Sequence, residues 1–149
     1  MIEIRVAVLE DVPVLLRLAR AFYDEDRFST TDAELERNIG VLLQADNAHI
    51  VLALQDAAVA GFALTTTAFI LESGLVAELQ DLYVTPDARG SGVGTALIED
   101  SAHWARSRSA TRLEVVIAPN GQDVGHLFSY YPARGFVDEG RRILARDLS

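Results

Sequence analysis

The chain predicts a mixed α/β sheet, and three observations predict it. Three strand-like runs between His49 and Val84 follow one another with no helical pattern between them, as in an antiparallel meander. A strand-helix-strand unit comes next, Val76–Val84, Thr95–Arg108 and Leu113–Ile117, and implies one parallel crossover. No repeat, low-complexity stretch or linker divides the 149 residues, so 1–149 is expected to be one domain able to bury roughly two-thirds of its unfolded surface. The expected order is β-α-α-β-β-β-α-β-α-β-β.

Each element has its own signal. Ile2–Val8 reads as the first strand. Asp11 is placed to cap a helix that carries Pro13 in its first turn, where a missing N–H costs nothing. Leu15, Leu18, Ala19 and Phe22 keep the spacing of a buried helical stripe, and Asp24-Glu25-Asp26 breaks it as a loop. Thr31 and Glu34 form a capping box ahead of a second amphipathic helix bearing Leu35, Ile39, Leu42 and Leu43. His49–Leu54 and Val59–Phe69 are strands joined by the hairpin connection Gln55-Asp56-Ala57-Ala58. Gly74 interrupts, and Val76–Val84 is the next strand. In the helix Thr95–Arg108, Ala96, Leu97 and Trp104, with Val93 just ahead of it, share one face. Leu113–Ile117 is a short strand ended by Pro119-Asn120-Gly121. Val124–Ala133 is a helix, and Gly135-Phe136 starts a final strand pair that ends near Leu148.

Composition narrows the function classes. Half of the residues are hydrophobic and 23% are charged, the profile of a globular chain. No apolar run reaches the roughly 20 residues that cross a bilayer, and a basic-then-apolar leader is not seen, so the expected compartment is the cytoplasm. With no cysteine, the chain has no disulfides, no thiolate chemistry and no Cys-based zinc site. No metal constellation is present, and His49 and His103 read as structural. A net charge of −9 disfavours nonspecific nucleic-acid binding. It favours solubility and, secondarily, attraction of a cationic substrate.

Arg89-Gly90-Ser91-Gly92-Val93-Gly94 lies at the junction between a strand and a helix. Glycines there let the main chain approach an anion closely, and the helix that follows adds unpaired N–H groups and the positive end of its dipole. A Walker A loop would need a lysine after the last glycine, where Thr95 stands. A dinucleotide fingerprint would need a glycine or alanine at the position of Thr95 and a parallel sheet before it. A pyrophosphate loop of the coenzyme A type is the third reading.

Two blocks carry a family resemblance. Leu82-Tyr83-Val84-Thr85-Pro86-Asp87-Ala88-Arg89-Gly90-Ser91-Gly92-Val93-Gly94 resembles the strand, Arg/Gln-x-x-Gly-x-Gly/Ala loop and helix of the GCN5-related N-acetyltransferases. Tyr131-Pro132-Ala133-Arg134-Gly135-Phe136 is similar to that family's second block, a helix ending in tyrosine before Gly-Phe opens a strand. The resemblance implies a central, mostly antiparallel sheet with one splayed parallel strand pair and about four flanking helices. It implies acetyl-CoA as co-substrate, no metal, and transfer of an acetyl group to a primary amine by direct attack in a ternary complex.

Residue by residue, the resemblance implies that Leu82, Tyr83 and Val84 meet the pantetheine arm and that the Leu82 N–H polarises the thioester carbonyl, as an oxyanion hole does. The amides of Arg89, Gly90, Ser91, Gly92, Val93, Gly94 and Thr95 would wrap the pyrophosphate. Asn120 is carried over as a coenzyme contact, since Val124 fills the place of the asparagine common in the family. Tyr131 falls where the family keeps its acid, while Tyr130 reads as packing. Asp81 and then Glu78 are the candidate bases, with Gln80 between them where polyamine acetyltransferases often have a carboxylate. Asp123, His126 and Ser129 share one short helix and cannot converge as a hydrolase triad.

The acceptor end is expected at the loop holding Tyr23, Asp24, Glu25, Asp26 and Phe28, with Gln80 beside it and Glu72 as a further carboxylate. That acidic loop, and the similarity of the Gln-Asp-Leu-Tyr-Val strand to polyamine and aminoglycoside acetyltransferases, point to a small cationic amine and to a connection with antibiotic resistance. A non-catalytic acyl-CoA-sensing module and an enzyme acting on protein or peptide amines are the alternatives. Family members often dimerise, so a homodimer is expected, with Arg141–Leu148 as a possible edge.

Overall fold

The structure, a computed structural model, describes residues 1–26, 28–118 and 124–149. Five strands form one sheet in the order β1-β2-β3-β4-β5: β1 Ile2–Val6, β2 Ala48–Gln55, β3 Ala58–Ile70, β4 Gly74–Val84 and β5 Leu113–Val115. All neighbours are antiparallel except β4 and β5, which run parallel as the crossover requires. Among the described residues four helices flank the sheet: α1 Val12–Glu25, α2 Asp32–Leu43, α3 Val93–Ser107 and the short α4 Leu127–Tyr130. The expected mixed sheet, with its meander and single parallel pair, is the observed one.

The near-continuous apolar run of β2 reflects a strand covered on both faces. Ile50 and Leu52 pack with Leu15, Leu18 and Leu35 of α1 and α2, whereas Val51 and Ala53 join Val93, Leu97 and Ile98 of α3. β3 divides the same way, Phe62 and Leu64 to the first face and Ala63 to the second. Thr65 and Ser101, both buried, satisfy one another at 2.7 Å between β3 and α3. The turn from β2 to β3 places Asp56 and Ala57 at φ 52° and 69°, the left-handed pair that suits the twist of a two-residue hairpin. Thr31 caps α2 as expected, its hydroxyl taking the Glu34 N–H while the Glu34 carboxylate takes the Thr31 N–H.

Several elements differ from expectation for identifiable reasons. The Asp11 side chain does not cap α1. It receives two 2.8 Å bonds from Arg5 and one from the Val8 N–H, and the Arg5 guanidinium holds its carboxyl below the usual carboxylate range. Asp24 and Glu25 belong to the last turn of α1 and not to a loop, because Arg20 pairs with Asp24 one turn on at 2.8 Å and Arg89 clamps Glu25. Helix α3 begins two residues earlier than Thr95, since Gly92 at φ +95° already turns the chain into it. β5 stops at Val115, and the helix expected over Val124–Ala133 is reduced to α4 and a 3-10 turn, Pro132–Arg134.

The final strand pair expected from Gly135-Phe136 to Leu148 does not form. β5 offers only three residues of ladder, and the tail meets it through side chains: Glu139 pairs with Arg112, and Arg141 lies 3.6 Å from Glu114. Gly140, at φ +74°, turns the backbone away from an extended path. Val137, Ile143, Leu144 and Leu148 are left exposed.

Candidate active site

The site is built around a fault in the β3–β4 ladder. Leu64 faces Asp81 and Thr65 faces Leu79, so Gln80 is the extra residue of a bulge. Side chains alternate along a strand, and without the bulge 79, 81 and 83 would share a face. With it, Leu79 points into the α3 side of the core, while Asp81 and Tyr83 point to the α1–α2 side. The last residue of β4 paired to β5 is Leu79, against Val115. From Gln80 to Val84 the strand therefore has β3 on one edge and, among the described residues, no paired strand on the other, and it runs directly into the glycine loop.

That loop is held from both sides. Thr85 N–H bonds the Ala60 carbonyl at 2.8 Å, and a 3-10 turn, Pro86–Ala88, follows. Gly90 and Gly92 stand at φ +80° and +95°, where any side chain would be strained. The first-turn N–H groups of Val93, Gly94 and Thr95 have no acceptor within the helix and face the loop. Gly94 is glycine for another reason: a Cβ there would fall 2.2 Å from the Tyr130 hydroxyl, which lies over the start of α3. Arg134, which the sequence reading did not single out, stacks 3.6 Å over the Tyr130 ring and donates to Thr95 Oγ1 at 3.0 Å. The signal was present in the spacing of Tyr131-Pro132-Ala133-Arg134, but only the fold shows the cation meeting the loop.

Asp81 lines a cavity of about 230 Å³ enclosed by α1, α2 and the sheet, together with Tyr23 and Gln80. The Tyr23 hydroxyl donates to Asp81 Oδ1 at 2.9 Å. Burial pushes the Asp81 carboxyl up to about 6; the Tyr23 bond works against that rise, and the charges of Glu78 and Asp26 add to it. Burial and the neighbouring Asp81 also raise the Tyr23 phenol. Gln80 is exposed and donates to Thr66 Oγ1 at 2.6 Å. Glu78 sits between Thr66 of β3 and Glu114 of β5.

Tyr131 caps α4 and is buried on the other face of the sheet, in the cluster against which Leu82 and Val84 pack. Phe136 and Tyr130 hold its ring edge-on at 5.4 and 5.2 Å. Burial, and then the neighbouring Tyr130, push its phenol up to about 12, so at neutral pH it keeps its proton as a donor.

The acidic segment divides. Asp24 pairs with Arg20 at 2.8 Å. Glu25 accepts two bonds from Arg89, at 2.8 and 2.9 Å, while Arg89 Nε holds the Val84 carbonyl and its guanidinium lies 5.7 Å from the Tyr83 ring centre. Neither carboxylate lines the cavity. Asp26 is partly buried, and burial followed by Glu25 raises its carboxyl. Phe28 packs against Tyr23 with the rings tilted and their centres 4.8 Å apart. Glu72 stands at an exposed turn before β4, away from the cavity lining. Asn120 and Asp123 lie outside the described residues. His49 bonds Asp100 at 2.9 Å and stacks on Trp104, consistent with a structural part. Among the described residues no cluster of His, Asp or Glu suits a metal ion, and no helix is long and apolar enough to cross a membrane.

The fit to a coenzyme A thioester is good: an unpaired strand edge, left-handed glycines, free helix-start amides and a nearby guanidinium converge on one end of the sheet. Residues 13–130 match the family described as acetyltransferase (GNAT) family. Over 39 residues, 26% of each chain, the sequence is 54% identical to an aminoglycoside N(6')-acetyltransferase type 1 of Klebsiella aerogenes. It is 30% identical over 111 residues to an uncharacterized N-acetyltransferase of Archaeoglobus fulgidus, covering 72% of this chain and 76% of that one. Its fold is similar to the aminoglycoside N-acetyltransferase AAC(6')-Iy in complex with CoA, with a TM-score of 0.86 and 20% identity over 100% of this chain and 96% of the other.

Proposed function

The chain belongs to the acetyltransferase (GNAT) family, and from that premise we propose that it is an acetyl-CoA-dependent N-acetyltransferase whose acceptor is a primary amine of a small cationic molecule. The observation that carries this is the position of Asp81. The bulge at Gln80 turns its carboxylate into a cavity one residue before Leu82, in the stretch beyond Leu79 where the β5 edge of β4 is no longer paired. An ammonium drawn to that carboxylate is held next to the strand edge and upstream of the anion-binding loop.

Bound acetyl-CoA supplies a thioester, whose acetyl group passes to the amine as the thiolate leaves. The chain's own residues do the rest. Asp81 draws the ammonium and takes its proton, and a carboxyl raised to about 6 is a better base near neutral pH than an ordinary one. The edge N–H at Leu82 is the donor for the carbonyl oxygen as it gains charge. Loop amides from Arg89 to Thr95, with Arg134 behind them, hold the pyrophosphate. Tyr131, protonated, donates to the leaving sulfur. Direct attack in a ternary complex fits an amine held at Asp81, one residue from the strand edge at Leu82 that the coenzyme arm would line. The aminoglycoside enzymes among the similar proteins support beginning the acceptor search with aminoglycosides and polyamines, and with resistance as the biological setting.

A free-thiol release assay with acetyl-CoA and an amine panel tests the reading. Amine-dependent thiol release is expected, and its loss in Asp81→Asn at unchanged acetyl-CoA affinity locates the base. Acetyl-CoA binding with no release on any amine would favour a sensing module. A cytoplasmic homodimer belongs to the same proposal, supported by the exposed Val137, Ile143, Leu144 and Leu148, which a second copy would cover. Light scattering should then give about twice 16.2 kDa.

A further inference from the structure

We infer that the acceptor is a monoamine on a compact apolar body, an arylalkyl or branched alkyl amine, and not a polycation; this rests on the acetyltransferase reading above. The cavity beside Asp81 decides it. Its wall is built from Leu15, Leu35, Ile39, Ile50, Phe62 and Leu64; besides Asp81 and the Tyr23 hydroxyl bonded to it, its polar groups are Thr30 and the exposed pair Asn38 and Gln80. Asp81 is the one carboxylate in that lining among the described residues. Of the neighbouring acids that suggested a polycation site, Asp24 is committed to Arg20 and Glu25 to Arg89, while Asp26, Glu72 and Glu78 lie outside the cavity lining.

One carboxylate matches one ammonium. A second ammonium carried inward against leucine, isoleucine and phenylalanine would be stripped of water with no counter-charge, which strongly disfavours it. An apolar body gains from the same wall. Size agrees: a cavity of roughly 150 Å³ lined by such residues holds a benzene ring, and the 230 Å³ here leaves room for a ring or branched chain on a short stem. It is below the roughly 300–1,000 Å³ of sites that engulf drug-sized ligands.

The reaction balances for such a substrate. The ammonium gives one proton to Asp81, the freed nitrogen pair forms the N–C bond to the acetyl carbon, and the C–S bond breaks with its pair on sulfur. The nitrogen then sheds a second proton. One of the two protons ends on the thiol and the other in solvent, leaving a neutral amide whose single charge has gone.

The test uses the intact protein, with 2-phenylethylamine and isopentylamine against spermidine, kanamycin and ethanolamine. Calorimetric binding of each amine is measured with and without CoA, and kcat/KM with acetyl-CoA. We expect both apolar monoamines to bind, and their kcat/KM to exceed that of spermidine and kanamycin at least tenfold. Asn38→Asp, at an exposed rim position, should narrow that ratio by giving a diamine a second partner. Preference for spermidine or kanamycin overturns the inference and leaves the acetyltransferase reading standing, as does failure of every panel amine to bind a protein that takes up acetyl-CoA. Failure to bind acetyl-CoA overturns that earlier reading instead, and the calorimetry without CoA still decides the cavity's preference.

Discussion

In the proposed reaction Asp81, bonded by Tyr23, is the base, and the titration of this pair gives predictions of definite sign. The Tyr23 hydroxyl stabilises the ionised carboxylate, opposing the rise that burial imposes. Tyr23→Phe removes that bond, so the Asp81 carboxyl moves further above about 6 and the acid limb of kcat/KM moves to higher pH. Activity at pH 6 should fall by a larger factor than at pH 8; a uniform fall would make Tyr23 a packing residue. Asp81→Asn should lower kcat/KM by about 10² or more, the usual scale for a lost base. Stability moves the other way. A carboxyl whose folded pKa is raised from 3.8 favours the folded state while protonated, and that advantage is lost as pH rises to about 6. Above pH 6 the asparagine variant is therefore expected to be more stable by about 1–2 kcal/mol after allowance for partial solvation, and near pH 4 to match the parent. Urea unfolding at the two pH values checks it. For Tyr131→Phe, the proposed mechanism predicts that kcat drops with acetyl-CoA affinity nearly unchanged, because it gives the buried phenol the proton transfer and the loop amides the coenzyme.

At the scale of elements, the bulge on β4 and the packing beneath it set the geometry. Gly61 on β3 lies under that stretch, and a Cβ there would fall 2.3 Å from the Tyr83 carbonyl, a backbone atom that cannot swing away. Gly61→Ala should separate β3 from β4, cost about 1–3 kcal/mol in urea unfolding, and impair kcat as well, since Tyr83 adjoins Leu82. Thr31→Ala removes half of the α2 capping box and should cost about 1 kcal/mol with little change in kcat. These two elements also mark what was legible beforehand. The capping box, the hairpin and the glycine loop are local, each readable from residues a few positions apart. The bulge was not, because Gln80 is extra only relative to the register of β3. Nor was the fate of the acidic segment, since Glu25 is held by Arg89, 64 residues away. The same holds for Asp11, whose cap-like place is overridden by Arg5, and for the tail, whose strand pattern found too short an edge on β5 to pair with. Tyr131 was legible as a named residue but not as a buried one.

At the scale of the molecule, a net charge of −9 surrounds a site that must admit both a cation and a polyanion. The two co-substrates therefore feel the distant charges with opposite sign. At about 10 mM salt the screening length is near 30 Å, wider than the distance from the site to most of the surface, and at about 200 mM it is under 10 Å. Added salt removes attraction for the amine and repulsion for acetyl-CoA. The amine KM is expected to rise and the acetyl-CoA KM to fall, each roughly two- to fivefold, over that range. Initial rates in one salt series, each co-substrate varied with the other saturating, measure both. The groups proposed to hold the coenzyme, Arg134 and the amides opening α3, act over a few ångströms, inside the screening length, so salt weakens them less than it weakens the far field. If both KM values rise together, those near contacts outweigh the far field. If they part in opposite directions, the acidic surface acts on the whole molecule's encounter with its substrates, while Asp81 alone selects the amine within the cavity.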